Sequence, residues 1–224
     1  VVIFSHLLVH AKQSPERSEN RKVLGQIVSV GLPSACETAL YNVAMTLVIR
    51  FLNQMDAEGL NVTARSYAMQ ITDFSYCVGA ALAQANAIMT GWYVGAGEYD
   101  ACDKGTKKAA VTGVAVAACL SVLFAACAGW IMKLFTDDPV MIALVTKLLV
   151  IDIVLEMGRV TNLVFGQALK SSGDAVFPAV LAAVFVFVCA AGGTYFFGIH
   201  LGLMAVGAYI GLAGDECVRA VGMV

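Results

Sequence analysis

Six long apolar segments, at 24–52, 58–94, 109–135, 140–168, 175–198 and 202–224, take up most of this 224-residue chain. An α-helix needs about 20 mainly apolar residues to cross the hydrocarbon of a bilayer. A transmembrane β-barrel would show segments of about ten residues with alternating polarity. The segments here are two to three times longer than that and do not alternate, so the chain reads as an all-α integral membrane protein with six spans. Composition agrees. Charged residues make up 13% of the chain, about half of what wets an ordinary soluble domain. The formal net charge of −2 offers no basic footprint for nucleic acid, so no nucleic-acid partner is expected.

The separators are turn-like: Asn53-Gln54-Met55-Asp56, Gly95-Ala96-Gly97-Glu98, Asp137-Asp138-Pro139, Ser171-Ser172-Gly173-Asp174 and the Gly198 to Gly202 region. Alternate connections share a side of the membrane. One side then collects Lys12, Arg17, Arg21, Lys22, Lys104, Lys107, Lys108, Lys170 and Arg219, while the other has only Lys133 in a loop. The positive-inside rule makes the first side cytoplasmic, which gives a multi-pass protein of the cell inner (plasma) membrane in contact with membrane lipids. Residues 1–22 are expected to hold the end of a preceding helix (Val1 to Ala11) and a polar cytoplasmic connection. Residues 23–224 are expected to form a six-helix lobe whose last helix is cut short.

Several chemistries are not indicated. Seven cysteines are scattered without a C-x-x-C pair and read as small, buried, reduced hydrophobes. His6 and His10 lie one helical turn apart but lack the acidic residue of H-E-x-x-H. Neither a G-x-S-x-G elbow nor a Walker-type loop is present, so the chain is not expected to be an enzyme, and no cofactor is expected. Asn61-Val62-Thr63 matches a glycosylation sequon and carries little weight.

The polar residues inside the spans carry more. A charge at the bilayer centre costs about 2.5–3.5 kcal/mol on insertion scales and calls for an explanation. In the first span Glu37 follows Pro33 by one turn; the proline removes a backbone donor and allows a kink, so Glu37 can face a cavity. The blander reading is a protonated glutamate bonded to a neighbouring helix. In the second span Ser66, Gln70, Asp73, Cys77 and Gln84 share one helical face, with Asp73 its only charge. In the fourth, Asp152, Glu156 and Arg159 share a face. A Glu156–Arg159 pair at i,i+3 reads as structural, which leaves Asp152 as the more readily titrated carboxylate. Asp215, Glu216 and Arg219 in the last span read as an interfacial ion cluster. The third and fifth spans (Ala109–Met132, Ala175–Gly198) carry no ionisable side chain and read as packing and lipid-facing walls.

Four motifs in order resemble one family. Gly31-Leu32-Pro33-Ser34-Ala35-Cys36-Glu37 resembles the G-(I/L)-P-x-x-x-E opening of the seventh helix in prokaryotic multidrug and toxic compound extrusion (MATE) transporters. Gly91 through Gly97 is similar to the family's G-x-x-x-G-A-G exit from the eighth helix. Leu155 to Pro178 is similar to its E-x-G-R-x-x-N…A-L-x-x-x-G-D-x-x-F-P stretch, which includes Asn162. Asp215-Glu216-Cys217-Val218-Arg219 resembles the D-E-x-x-R of the twelfth helix. The resemblance implies the C-terminal half, helices seven to twelve, of a MATE/MOP-superfamily transporter, partnered by an N-terminal six-helix lobe around a central cleft. It implies export of small amphipathic or cationic substrates against H⁺ or Na⁺. The coupling cation would lie between acids of helices seven and ten, which places a Na⁺ at Glu37 and Asp152, with Glu156 the other helix-ten candidate. Asp73 joins them in the cleft, and Pro33, Gln70, Arg159 and Asn162 support it. The alternatives are a lipid-linked oligosaccharide flippase of the same superfamily, expected to have a more cationic cleft than these mainly acidic groups supply, or a non-transporting membrane scaffold subunit.

Overall fold

A computed structural model describes residues 17–55 and 58–224; the expected helix end at Val1 to Ala11, and His6 and His10, lie outside them. All the regular structure among the described residues is helical: α1 (Arg17–Met55), α2 (Leu60–Ala96), α3 (Tyr99–Met132), α4 (Pro139–Ser172), α5 (Val176–Phe185) and α6 (Met204–Met223). Beyond α5 the same rod continues in π-helical turns at Val186–Ala191 and Thr194–His200. Three of these rods are long and apolar enough to cross a membrane, at Val23–Met55, Tyr99–Met132 and Val176–His200. They alternate along the chain with α2, α4 and α6, which together with Glu37 of α1 carry the intramembrane charges.

The ends follow local chemistry. Gly97 (φ 76°) and Gly173 (φ 103°) take the left-handed conformation that stops α2 and α4. Asp138 accepts the Val140 amide at 2.9 Å and Pro139 occupies the first turn, which starts α4. Asp174 accepts the Phe177 amide at 3.1 Å, so Gly173-Asp174 ends one helix and opens the next. The helix α3 begins ten residues before the apolar stretch does, because its first turns are exposed and carry the Lys107–Asp103 pair at 2.8 Å. Helix α1 runs through Pro33 as one continuous helix.

Helix α4 is the central rod and packs against α2, α3 and α6. Its wall toward α2, α3 and α6 is built of Leu148, Leu149, Leu155, Val145, Val160 and Val164, all nearly inaccessible. Small residues let the rods approach. A Cβ on Gly79 or Gly113 would lie 2.6 or 2.8 Å from Val160, and one on Gly158 would lie 2.9 Å from the Glu216 carbonyl carbon. The π-helical turns press on α6 in the same way: a Cβ on Gly193 would sit 2.8 Å from the Gly211 Cα, and Gly207 abuts the Phe197 and Gly198 backbone. Sequence predicts an ordinary helix over 175–198; the wider turns occur where this glycine-on-glycine contact brings the two backbones together. Helix α1 packs chiefly on α5 and these turns and touches α2 and α6 much less.

The cysteines depart from expectation. All seven are free, but none is buried within the lobe, and Cys36, Cys77, Cys119 and Cys127 are exposed. The surfaces of α3 and of the rod that begins with α5 match the expected walls, presenting Val111, Leu123 and Trp130, and Val180, Val184 and Val188.

Candidate functional site

The close crossing at Gly158 lets the charged turns of α4 and α6 face one another. Glu156, with its side chain fully buried, is ion-paired to Arg159 one turn along. Arg159 also reaches Glu216 of α6 at 3.7 Å, and Glu216 is held by Arg219 at 2.9 Å. Arg219 binds Asp215 in a two-pronged contact at 2.7 and 3.2 Å. Asn162 closes the assembly by donating to the Glu216 carboxylate at 2.7 Å and to its backbone carbonyl at 2.8 Å. Asp215, Glu216 and Arg219 are therefore buried between helices, and the expected i,i+3 pair Glu216–Arg219 is formed among them. The E-x-G-R-x-x-N and D-E-x-x-R runs are the two sides of one crossing, with the glycine supplying the approach and the polar residues filling it.

A cavity of about 410 Å³ opens beside this crossing. Its walls include Arg159, Asn162, Gly166 and Lys170 of α4, Glu37 and Tyr41 of α1, Asp73 and Tyr76 of α2, and Glu216 and Arg219 of α6. The cavity thus runs along one face of the C-terminal half of α4. The Arg159 guanidinium lies 6.0 Å from the Tyr76 ring centroid, at the outer range of a cation–π contact. Lys170 reaches across from α4 and places its ammonium 2.7 Å from the Glu37 carboxylate.

Of the residues singled out by sequence, Glu37, Asp73, Arg159 and Asn162 come together here, and Gln70 and Pro33 lie outside the lining. The stripe Ser66, Gln70, Asp73, Cys77 and Gln84 does share a face, and all five residues are exposed on it, while Ala64, Ala68, Thr72, Ser75 and Asn86 pack inward. Asp152 and Glu156 sit deeper along α4 than the cavity walls. Asp152 is 2% exposed and its Oδ2 has no hydrogen-bond partner. Ser75 of α2 is buried and lies beside the Glu156 carboxylate. Tyr209 of α6 is within electrostatic reach of Asp152, Glu156, Arg159 and Arg65.

Two expectations need correction on geometry. Lys170 lies 18 residues beyond Asp152 on one helix, about 27 Å at a rise of roughly 1.5 Å per residue. Glu37, held against Lys170, therefore cannot share one Na⁺ with Asp152. Among the described residues no three His, Cys, Asp or Glu side chains gather as a metal site. Nor are the central groups mainly acidic: Arg159, Lys170 and Arg219 line the cavity beside Glu37, Asp73 and Glu216. Sequence reasoning missed Lys170 because it counts as a loop cation, and it missed Glu216 and Arg219 as cavity residues. With Lys170 and Arg219 removed from the loop set, Lys104, Lys107 and Lys108 remain exposed, and the inferred orientation is unchanged.

Six helical rods, apolar outside and charged along one inner cavity, define a multi-pass membrane protein. The chain belongs to the MatE family, whose model matches residues 33–196. It is 33% identical over 202 residues to the uncharacterized transporter YisQ of Bacillus subtilis (strain 168), covering 90% of this chain and 44% of that protein. The fold matches a crystal structure of MATE in the straight conformation with a TM-score of 0.81, at 20% identity over 94% of this chain and 46% of the other. It also matches an outward-facing multidrug resistance MATE transporter of the MOP superfamily, with a TM-score of 0.80, at 20% identity over 93% of this chain and 46% of the other. The chain spans under half the length of each of these proteins.

Proposed function

We propose that this chain is the C-terminal lobe of an efflux antiporter in the plasma membrane, working by alternating access against an N-terminal six-helix lobe. Small amphipathic or cationic compounds are exported in exchange for H⁺ or Na⁺. The observation that supports this best is the pairing of a charged, partly open cavity with a buried carboxylate, Asp152, deeper along the same helix, whose Oδ2 has no hydrogen-bond partner. An intramembrane acid with an unsatisfied oxygen is costly, and intramembrane ionisable groups mark ion and substrate paths. Asp152 and Glu37 act at separate positions: Asp152 takes up the coupling ion, and Glu37, with Asp73, meets the substrate's charge in the cavity. The arginines at the α4–α6 crossing hold the wall in place.

The test is efflux of a fluorescent organic cation by the full-length protein in proteoliposomes, driven by a proton or sodium gradient. Asp152→Asn and Glu37→Gln are each expected to lower driven efflux at least tenfold. Retention of full activity by both variants sinks the coupling roles. The flippase alternative would call for an excess of cations in the cavity, whereas each cation there has a carboxylate partner. Translocation of a lipid-linked oligosaccharide without drug efflux would reverse the order of the two readings.

A further inference from the structure

Of the three cations on the cavity wall, two are fixed by several carboxylate contacts and one is not. Arg159 is tied to Glu156 and Glu216, and Arg219 to Asp215 and Glu216. The one carboxylate within ion-pair distance of Lys170 among the described residues is Glu37, and both side chains keep about a fifth of their surface open. We propose that Lys170 is a tethered counter-ion that occupies Glu37 while the cavity is empty and is displaced when a cationic ligand enters.

Three features make this exchange feasible. A lysine is a point charge on a flexible four-carbon stem, unlike the planar fork of the two arginines. Lys170 lies in the last turn of α4, ahead of the Gly173 cap. The carbonyl end of a helix favours a cation there, so the displaced ammonium keeps a favourable setting as it swings toward water. Gly166, one turn back on the cavity wall, has open space where a Cβ would point apart from the sulfur of Met223 at 3.9 Å, which leaves room beside the lysine stem. The consequence for selectivity is direct. A cation competes with an internal ammonium for Glu37, so its affinity is set below what the bare carboxylate would give, and release is driven by the lysine's return.

This inference rests on the efflux reading above, and it is tested by binding so that the two can fail separately. Tetraphenylphosphonium and the neutral triphenylphosphine oxide are titrated into purified full-length protein. Lys170→Gln is expected to tighten tetraphenylphosphonium binding about five- to tenfold and to leave the neutral probe within twofold. Lys170→Arg, which keeps the charge, is expected to stay within twofold of the wild type for both. On the wild type itself, acetic anhydride labelling of Lys170 read by mass spectrometry is expected to rise several-fold when tetraphenylphosphonium is added. This measurement does not depend on any variant folding. Unchanged labelling overturns the exchange, as does a Lys170→Gln protein whose two probes shift together or whose cation affinity is unaltered. If the wild type binds no tetraphenylphosphonium at all, the efflux reading falls and the exchange with it.

Discussion

The α4–α6 crossing and the Glu37–Lys170 pair are both oppositely charged contacts in one cavity, but they are built differently. At the crossing Arg159, Arg219 and Glu216 each have at least two oppositely charged partners, Asp215 has a two-pronged one, Glu156 has Arg159 alone, and Asn162 adds two further bonds. The α1–α4 pair is a single contact between side chains that remain partly open. Burial makes the first arrangement expensive to disturb: charges withdrawn from water must stay matched. The second has one contact to break, and both of its side chains keep about a fifth of their surface open to water. One acts as a fixed joint between helices and the other as a contact that can be exchanged. The helices follow the same division, since α4 and α6 are packed along their length while α1 rests mainly on α5 and the π-helical turns.

The largest expected effect comes from breaking the joint. Glu216→Leu removes the contact shared by Arg159, Arg219 and Asn162 and leaves buried cations under-compensated. Removing one partner of a buried pair costs about 3–5 kcal/mol. The variant should show a sharp fall in thermal midpoint and in folded yield from detergent, and a midpoint within a few degrees of wild type would count against the crossing as a joint. Gly158→Val should follow, because even a Cβ there would stand 3.0 Å or less from the Glu216–Cys217 backbone. Forced overpacking of this kind costs about 1–3 kcal/mol, read by the same melt, and Gly158→Ala should lie between it and the wild type.

Glu37→Gln is the contrasting case. Its stability cost should be about 1 kcal/mol or less, near the value for a partly exposed pair, although cation efflux falls at least tenfold. A melt as damaged as that of Glu216→Leu would erase the distinction between the two regions.

How much of this could be read from sequence divides along the same line. Anything set by local periodicity was legible: the helix count, the Gly97 and Gly173 stops, the Asp138-Pro139 start, the shared face of the α2 stripe and the i,i+3 pairing of Glu156 with Arg159. Contacts between helices were not. Lys170 looks like a loop cation because it is followed by Ser-Ser-Gly-Asp, and only packing shows that its side chain turns back to Glu37. Asp215, Glu216 and Arg219 read as a cluster on one helix, and only the approach at Gly158 shows that they are buried against a second one. The expectation of buried cysteines failed because lipid is apolar. In a membrane protein a thiol can face outward at no penalty, so composition alone cannot separate the core from the lipid-facing surface. The sequon at Asn61 illustrates the reverse. Asn61 is buried and its side-chain oxygen accepts the Ala205 amide at 3.2 Å, at the start of α6. It is therefore expected to stay unglycosylated, and Asn61→Ala should lower stability by about 1 kcal/mol through loss of that bond, again by thermal melt.

The smallest effect is expected where local geometry is the same and only burial differs. Arg219–Asp215 and Lys107–Asp103 are both i,i+4 ion pairs, at 2.7 and 2.8 Å. The first is nearly inaccessible, while the second has more than half of each side chain in solvent. In water the Coulomb gain of the exposed pair is offset by hydration and by the ordering of two side chains, and i,i+4 helix pairs are worth about 0.3–0.5 kcal/mol. Lys107→Ala should therefore move the melt by no more than that, and the shift should shrink further in high salt. Arg219→Ala leaves Asp215 buried without a cation and Glu216 with only its longer contact to Arg159, and should resemble Glu216→Leu. Similar losses from Lys107→Ala and Arg219→Ala would mean that contact distance, not burial, governs these pairs, and the division between joint and exchangeable contact would have no physical basis.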